Sequence, residues 1–284
     1  MTTKILALVD SSIYAQSVCD HTAWIAKRLN ASVNLLHVLG RREGAATGDL
    51  SGSLKLGARS ALLEELATLD AQRAKLSQAQ GHAILDDAKA IIERAGVGPV
   101  TTRLQHGDLL EAVAELEPEL RVVVIGKRGD GADFASNHLG SNLERIVRTS
   151  KIPVFVASRA FQPISKILIA FDGGDSAKRA VDRITESPFF DAMSATLSFV
   201  GTETPGILKK LEKAREQLAG VGLDVTVDIT SGEPEKVLEH KVSTENFGLL
   251  VMGAYGHSRI RSLIIGSLTT TMIRSCKIPI LLYR

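Results

Sequence analysis

The sequence predicts an α/β protein made twice over: two tandem copies of a five-stranded parallel sheet, each covered by helices on both faces. Three observations carry this. Short apolar runs of strand length alternate with helical patterns along the whole chain, which is the order expected of a parallel sheet with crossover helices. The opening run Lys4-Ile-Leu-Ala-Leu-Val-Asp10 returns 162 positions later as Lys166-Ile-Leu-Ile-Ala-Phe-Asp172. The later blocks of the two halves also pair, Val122-Val-Val-Ile-Gly126 with Leu249-Leu-Val-Met-Gly253 and Lys151-Ile-Pro-Val-Phe-Val with Lys277-Ile-Pro-Ile-Leu-Leu. A repeat of this kind, found before any finer reading, sets the architecture.

At 284 residues the chain has room for two domains of ordinary size, each with its own core. Residues 1–158 form the first and 163–284 the second, with the boundary around Pro163. In domain one the strands fall near 3–9, 32–38, 100–106, 121–126 and 153–157. In domain two they fall near 165–171, 194–200, 223–229, 248–253 and 279–283. Each run is too short for a helix and is bounded by Gly, Pro or Asp.

The copies differ in length. The offset between them drops from 162 at the first strands to 125 between Gly107 and Gly232, so domain one carries an insertion, about 40–95. Its first part, Gly40 to Gly57, is rich in glycine and small polar residues and reads as a loop. Leu62 to Arg94 reads as a long amphipathic helix, interrupted near Gly81. Leu62, Leu66, Leu69, Leu76, Ile84, Leu85 and Ile91 make its apolar stripe, expected to pack on the domain's own sheet, with a ligand lid or partner surface as the other reading.

Composition excludes several classes of function. Charged residues at 23% and hydrophobic ones at 44% describe a globular protein. A formal net charge of +2, with Lys and Arg dispersed, gives no footprint for nucleic acid or an anionic membrane. The first apolar run is closed by Asp10, too short for a leader or a span, and the expected location is the cytoplasm. Cys19 and Cys276 form no CxxC pair, so no metal site is predicted, and both read as small buried hydrophobes. His37 on the second strand corresponds to Phe199 in the repeat and reads as a packed or hydrogen-bonded residue. GxxxxGK[ST], GxGxxG and HExxH are absent, and no Ser-His-Asp set can be assembled, so no catalytic residue is assigned.

The chemistry that the sequence does offer is concentrated after the strand ending at Gly253. Gly253 is followed after two residues by Gly256 and after nine more by Gly266-Ser267, which opens the helix-like run Leu268-Thr-Thr-Thr-Met-Ile-Arg. Glycines permit close backbone approach to a ligand, and a helix start offers unpaired N–H groups and a positive dipole end, an arrangement suited to phosphate. His257, Arg259 and Arg261 lie within the loop, as phosphate partners or as solvated side chains. Asp172 ends its strand where the sheet opens, as a ligand carboxylate, a helix N-cap, or both.

The Gly-x2-Gly-x9-Gly-Ser spacing, between an apolar strand and an Ile-Pro strand and repeated in part upstream, resembles the signature of nucleotide-binding members of the universal stress protein family. The resemblance implies Rossmann-like domains and ATP, with or without Mg, as ligand. It implies that Asp172, and Asp10 in the first copy, face the adenine and ribose side, that Ala170 and Val200 border the adenine through main-chain groups, and that Gly253, Gly256, His257, Gly266 and Ser267 take the phosphates. Single-domain members dimerise through the last strand. An internal pseudo-dimer of the two copies is therefore implied, with a further homodimer left open.

The first copy departs from the pattern. Gly126 and Gly129 keep their spacing, but ten residues rather than nine precede Gly140-Ser141, and Asp130 and Asp133 enter the loop. A carboxylate about 4 Å from a phosphate opposes binding by roughly 1 kcal/mol in water and several-fold more in a drier site, as much as a helix dipole supplies. Lys127 and Arg128 offset part of this. The expectation is one nucleotide, mainly in domain two, and a role in stress response by binding rather than fast turnover, with slow hydrolysis left open. Two alternatives stand beside it. Asp172-Gly-Gly-Asp-Ser is similar to the Ser-Gly-Gly-x-Asp-Ser loop of adenylating PP-loop enzymes, without its first serine and one spacer. A nucleotide-free scaffold that binds another small ligand is the other.

Overall fold

In the computed structural model, residues 3–40, 56–129, 141–254 and 266–284 are described, with the backbone alone for 56–61 and 141. The first half runs β1 (Lys4–Leu8), α1 (Ala15–Leu29), β2 (Ser32–Leu39), α2 (Leu56–Arg94), β3 (Val100–His106), α3 (Leu109–Leu116), β4 (Leu120–Gly126), α4 (Ser141–Thr149) and β5 (Val154–Ala157). The second runs β6 (Lys166–Ala170), α5 (Asp175–Thr185), β7 (Ser194–Val200), α6 (Pro205–Ala219), β8 (Asp224–Thr230), α7 (Pro234–Thr244), β9 (Leu249–Gly253), α8 (Ser267–Ser275) and β10 (Ile280–Tyr283). The strands lie within a residue or two of their predicted positions.

All ten strands join one sheet in the order β3-β2-β1-β4-β5-β10-β9-β6-β7-β8. Within each half every pairing is parallel. The halves meet through the single antiparallel pair β5–β10, in the register Ile280↔Val156, Leu281↔Phe155 and Leu282↔Val154. The two Ile-Pro strands are apolar and would be exposed edges in separated halves, so pairing them removes two sites of unwanted strand addition. Proline precedes the paired residues in both, where its missing N–H takes nothing from the ladder.

Because the strands are buried on both faces, their residues divide by alternation into two cores. Ile5, Val124, Phe155, Ile167, Val251 and Leu281 belong to the core under α1, α2, α5 and α6. Leu6, Val123, Val156, Leu168, Leu250 and Leu282 belong to the opposite core with α3, α4, α7 and α8.

The segment after β5 is pinned across α1. Ser17 Oγ donates to Ser158 O at 2.5 Å, and the ring of Phe161 stands edge-on to His21, with centroids 5.1 Å apart. His21 is fully buried; its Nδ1 donates to Ser17 O at 2.7 Å, and among the described residues its Nε2 has no hydrogen-bond partner. Burial holds this histidine below its ordinary value. Further along, Arg28 Nε donates to Phe189 O at 2.5 Å, and Trp24 packs edge-on to the Phe189 ring.

The insertion departs from expectation in two ways. Helix α2 runs unbroken from Leu56 to Arg94, through Gly81. That glycine is a contact point: a Cβ there would lie 2.6 Å from Leu104 Cδ1 and 3.1 Å from His37 Cδ2, so its absence lets the helix approach β2 and β3 closely. Secondly, only the C-terminal part of the stripe meets the core: Leu85 is 2% exposed and Ile84 and Ile91 pack half-buried against it, whereas Leu69 and Leu76 stand 44% and 70% exposed. A 39-residue helix spans about 58 Å at 1.5 Å per residue, far more than a seven-residue strand can cover, so the stripe outruns its sheet. The expected loop before it lies, from 41 to 55, outside the described residues.

Among the described residues no helix is long and apolar enough to cross a membrane. Cys19 and Cys276 are both buried, and burial pushes the Cys19 thiol up to about 12. His37 is buried with Nδ1 donating to Val9 O at 2.7 Å, a structural hydrogen bond from ring to strand end.

Candidate functional site

In each half the chain reverses its direction of travel across the sheet at one place. From β6 it moves outward through β7 to β8, then returns through α7 to place β9 on the other side of β6; β1 and β4 repeat this in the first half. Helices diverge at such a point and leave a crevice beyond the carboxyl ends of the two strands. In the second half those ends are Ala170, followed by Asp172, and Gly253.

The register aligns Ala170 with Met252 on one side and with Ser198 on the other. Ala170 and Val200, both half-buried, therefore stand at one rim of the sheet with Gly253. Asp172 Oδ1 accepts from Gly174 N at 2.8 Å, closing the turn in which Gly173 takes φ 72°. The N-cap of α5 is Gly174, so the capping role considered for Asp172 becomes a turn-forming one two residues earlier. Asp10 does the same in the first half, its Oδ1 accepting from Ser12 N at 3.1 Å.

Gly253 has a packing reason to be glycine. A Cβ there would come 2.6 Å from Ser176 Oγ and 2.8 Å from Ser176 Cβ, because the first turn of α5 sits against the end of β9. Gly126 repeats this against Tyr14, at 2.7 Å from its Cβ.

Beyond Gly253 the chain leaves the described residues from 255 to 265, which contain Gly256, His257, Arg259 and Arg261. It returns at Gly266, the N-cap of α8. Thr269 Oγ1 donates to Ala254 O at 3.2 Å, and Gly266 N to Ala254 O at 3.5 Å, so the start of α8 is stapled to the end of β9. Among the described residues no side chain caps this helix, and Gly266 has none to offer, so its first turn presents N–H groups and the positive dipole end at the same rim as Asp172. Ser267 is exposed there.

One residue at this rim had no signal in the sequence pattern. Lys210 of α6 reaches back to Gly173 O at 3.4 Å, adding a cation beside the Asp172 turn. It is one of several lysines on a helix, and only packing of α6 against α5 singles it out.

The first half presents a more occupied version. Gly126 and Gly129 are described, Gly140 lies outside the described residues, as do Asp130 and Asp133, and Ser141 opens α4. A Cβ at Gly129 would come 2.9 Å from Asp10 Oδ2, so the chain after β4 folds down onto the carboxylate. Lys127 leaves the loop altogether: it is buried, and its Nζ donates to the carbonyl of Cys276 at the end of α8 in the other half. Burial holds the Lys127 ammonium below the usual lysine value. One of the two cations expected to offset the loop aspartates is thus committed to the contact between halves.

The profile of the Universal stress protein family matches residues 1–158 and 188–284. A universal stress protein of Synechocystis sp. is 34% identical over 285 residues, covering 99% of both chains. A universal stress protein of Mycobacterium tuberculosis is 24% identical over 237 residues, 72% of this chain and 73% of that one. Among solved structures, a universal stress protein from Archaeoglobus fulgidus superposes with a TM-score of 0.69 at 20% identity, over 99% of this chain and 98% of that one.

Proposed function

Because the chain belongs to the universal stress protein family, we propose that it is an adenine-nucleotide-binding member that takes ATP, with or without Mg, at the carboxyl ends of β6 and β9. One observation supports this above the others. The start of α8, which no described side chain caps, is stapled to the end of β9 at the reversal point of the second half, next to the Asp172 turn. The Gly-x2-Gly-x9-Gly-Ser spacing marks the same place in the sequence. Phosphates would meet the N–H groups of Ser267 and the residues after it, and Gly266 would let them approach. Ala170 and Val200 would border the base, and Asp172 would take the ribose side. Gly256 and His257 complete the set by sequence.

On this reading the protein works by holding nucleotide. It has neither the P-loop lysine with its metal-binding hydroxyl nor an assigned general base, so the proposed role is a bound-state signal in a cytoplasmic stress response and not fast phosphoryl transfer. Domain one is the weaker site, because Lys127 is directed to Cys276 and Asp10 is covered by the chain at Gly129. The two halves act as an internal pseudo-dimer across β5 and β10.

Titration calorimetry with MgATP tests the site. The parent should bind one nucleotide per chain, and Gly266→Val should weaken binding at least about tenfold by keeping phosphate from the helix start, with the circular dichroism unchanged. A folded Gly266→Val chain that binds as tightly as the parent would place the site elsewhere, and two equivalent sites would restore domain one.

A further inference from the structure

A second concavity lies away from the nucleotide rim. It is a crevice of about 370 Å³ over the seam between the halves, on the sheet face that carries α1 and α5. None of Ala170, Asp172, Val200, Gly253, Gly266 and Ser267 lines it. Its size falls within the range of about 300–1,000 Å³ usual for small-molecule pockets.

The floor is apolar and drawn from both halves: Ile25 and Phe155 from the first, Phe189, Phe190, Leu281 and Tyr283 from the second. All six are at most 6% exposed. The rim is cationic. Arg121, Lys151, Arg179 and Arg183 stand exposed around the opening; among the described residues no Asp or Glu side chain lines it, while Arg284 lines it with its carboxyl end. Arg183 shares its charge with Glu186 at 3.0 Å, and Arg179 Nε donates to Arg284 O at 2.8 Å. Among the described residues, neither Arg121 nor Lys151 takes part in an ion pair. Two of the four cations are thus already partnered, and an anion at the opening would offset the charge of Arg121 and Lys151.

A third feature lies inside. Tyr283 stands on the floor with only 6% of its surface exposed. A phenolic hydroxyl that lines a cavity can donate to an acceptor on a ligand. Burial pushes this phenol up, and Arg121 and Arg183 act on it in the opposite direction, which places both guanidinium groups within electrostatic reach of it.

We propose that this crevice binds an amphiphilic organic anion, a carboxylate on a medium-length acyl body. The chain lies on the aromatic and aliphatic floor, and the carboxylate meets Tyr283 and the Arg121, Lys151 and Arg183 rim. Because the lining comes from both halves, the bound molecule spans the β5–β10 seam. The site is independent of the nucleotide proposal.

The chain's single tryptophan reports on it, since Trp24 packs edge-on to Phe189, with centroids 4.9 Å apart. Sodium decanoate, kept below its micelle concentration, should change Trp24 fluorescence saturably with one molecule bound per chain. Decan-1-ol, which has the same body without the charge, should bind at least about tenfold more weakly. The double variant K151E/R183E, altered only at exposed positions, should lose decanoate binding by a similar factor while MgATP titration is unchanged. Tyr283→Phe, which removes one oxygen, gives a second test independent of the rim and should weaken decanoate several-fold. The proposal is overturned by the absence of saturable decanoate binding, by equal binding of the alcohol, or by folded variants that bind decanoate as the parent does.

Discussion

Gly253→Ala separates the two reasons for glycine at the end of β9. Alanine on an unstrained strand position ordinarily stabilises by about 0.5–1 kcal/mol through the unfolded chain, and no positive φ is recorded for Gly253 to forbid it. The new methyl, however, would stand 2.6 Å from Ser176 Oγ, 2.8 Å from its Cβ and 3.3 Å from its carbonyl carbon. The hydroxyl alone could rotate away. The Cβ and backbone carbon belong to the first turn of α5, and Ser176 is only 6% exposed, so relief requires moving the helix. Overpacking of this kind costs about 1–3 kcal/mol, and with the unfolded-chain gain set against it the net loss centres on about 1 kcal/mol. For a chain of this size that lowers the melting temperature by a few degrees. Urea unfolding followed by circular dichroism measures it, and Ser176→Gly combined with Gly253→Ala should recover part of the loss, a coupling visible only if the two residues touch. A Gly253→Ala chain as stable as the parent would refute the packing argument and leave ligand approach as the reason for the glycine.

Other outcomes follow from the same geometry. His21 has a folded-state value depressed by burial, so its contribution to stability is complete above its ordinary 6.5 and declines as pH falls below it, by up to about 1.4 kcal/mol per unit. Urea midpoints of the parent and His21→Leu at pH 7.5 and 5.5 should show the slope attributable to this residue vanish in the variant, and an unchanged slope would assign it to other groups. On α2, Leu76→Glu should change stability by no more than about 0.5 kcal/mol, whereas Leu85→Ala should cost about 2–5 kcal/mol; comparable losses would mean that the exposed half is covered. A fragment beginning at Phe161 bares the edge of β10 and should form a homodimer or aggregate, and a soluble monomer at high concentration in analytical ultracentrifugation would count against the edge argument. The MgATP and decanoate titrations described above address the two sites themselves.

The sequence by itself determined the ten strands, their parallel direction within each of two copies, and the residues at the strand ends. These rest on local physics: a buried parallel strand must be a short unbroken apolar run, a turn needs Gly or Asp at particular steps, and a duplication leaves the same steps twice. Asp10, Asp172, Gly126 and Gly253 were legible for that reason. The tertiary structure decided what those residues touch. Gly253 and Gly126 are filled from the side by Ser176 and Tyr14, Lys127 turns from its own loop to a carbonyl 149 positions away, and Lys210 arrives beside Gly173 from another helix. It also decided how far α2 has a sheet to pack on, which the uniform periodicity of its leucines conceals. The crevice over the seam belongs wholly to this second class. Its lining runs from Ile25 to Arg284, and no window of sequence holds more than a few of its residues. Periodicity reports which face of an element is apolar, while the distances between faces are set only when the elements pack.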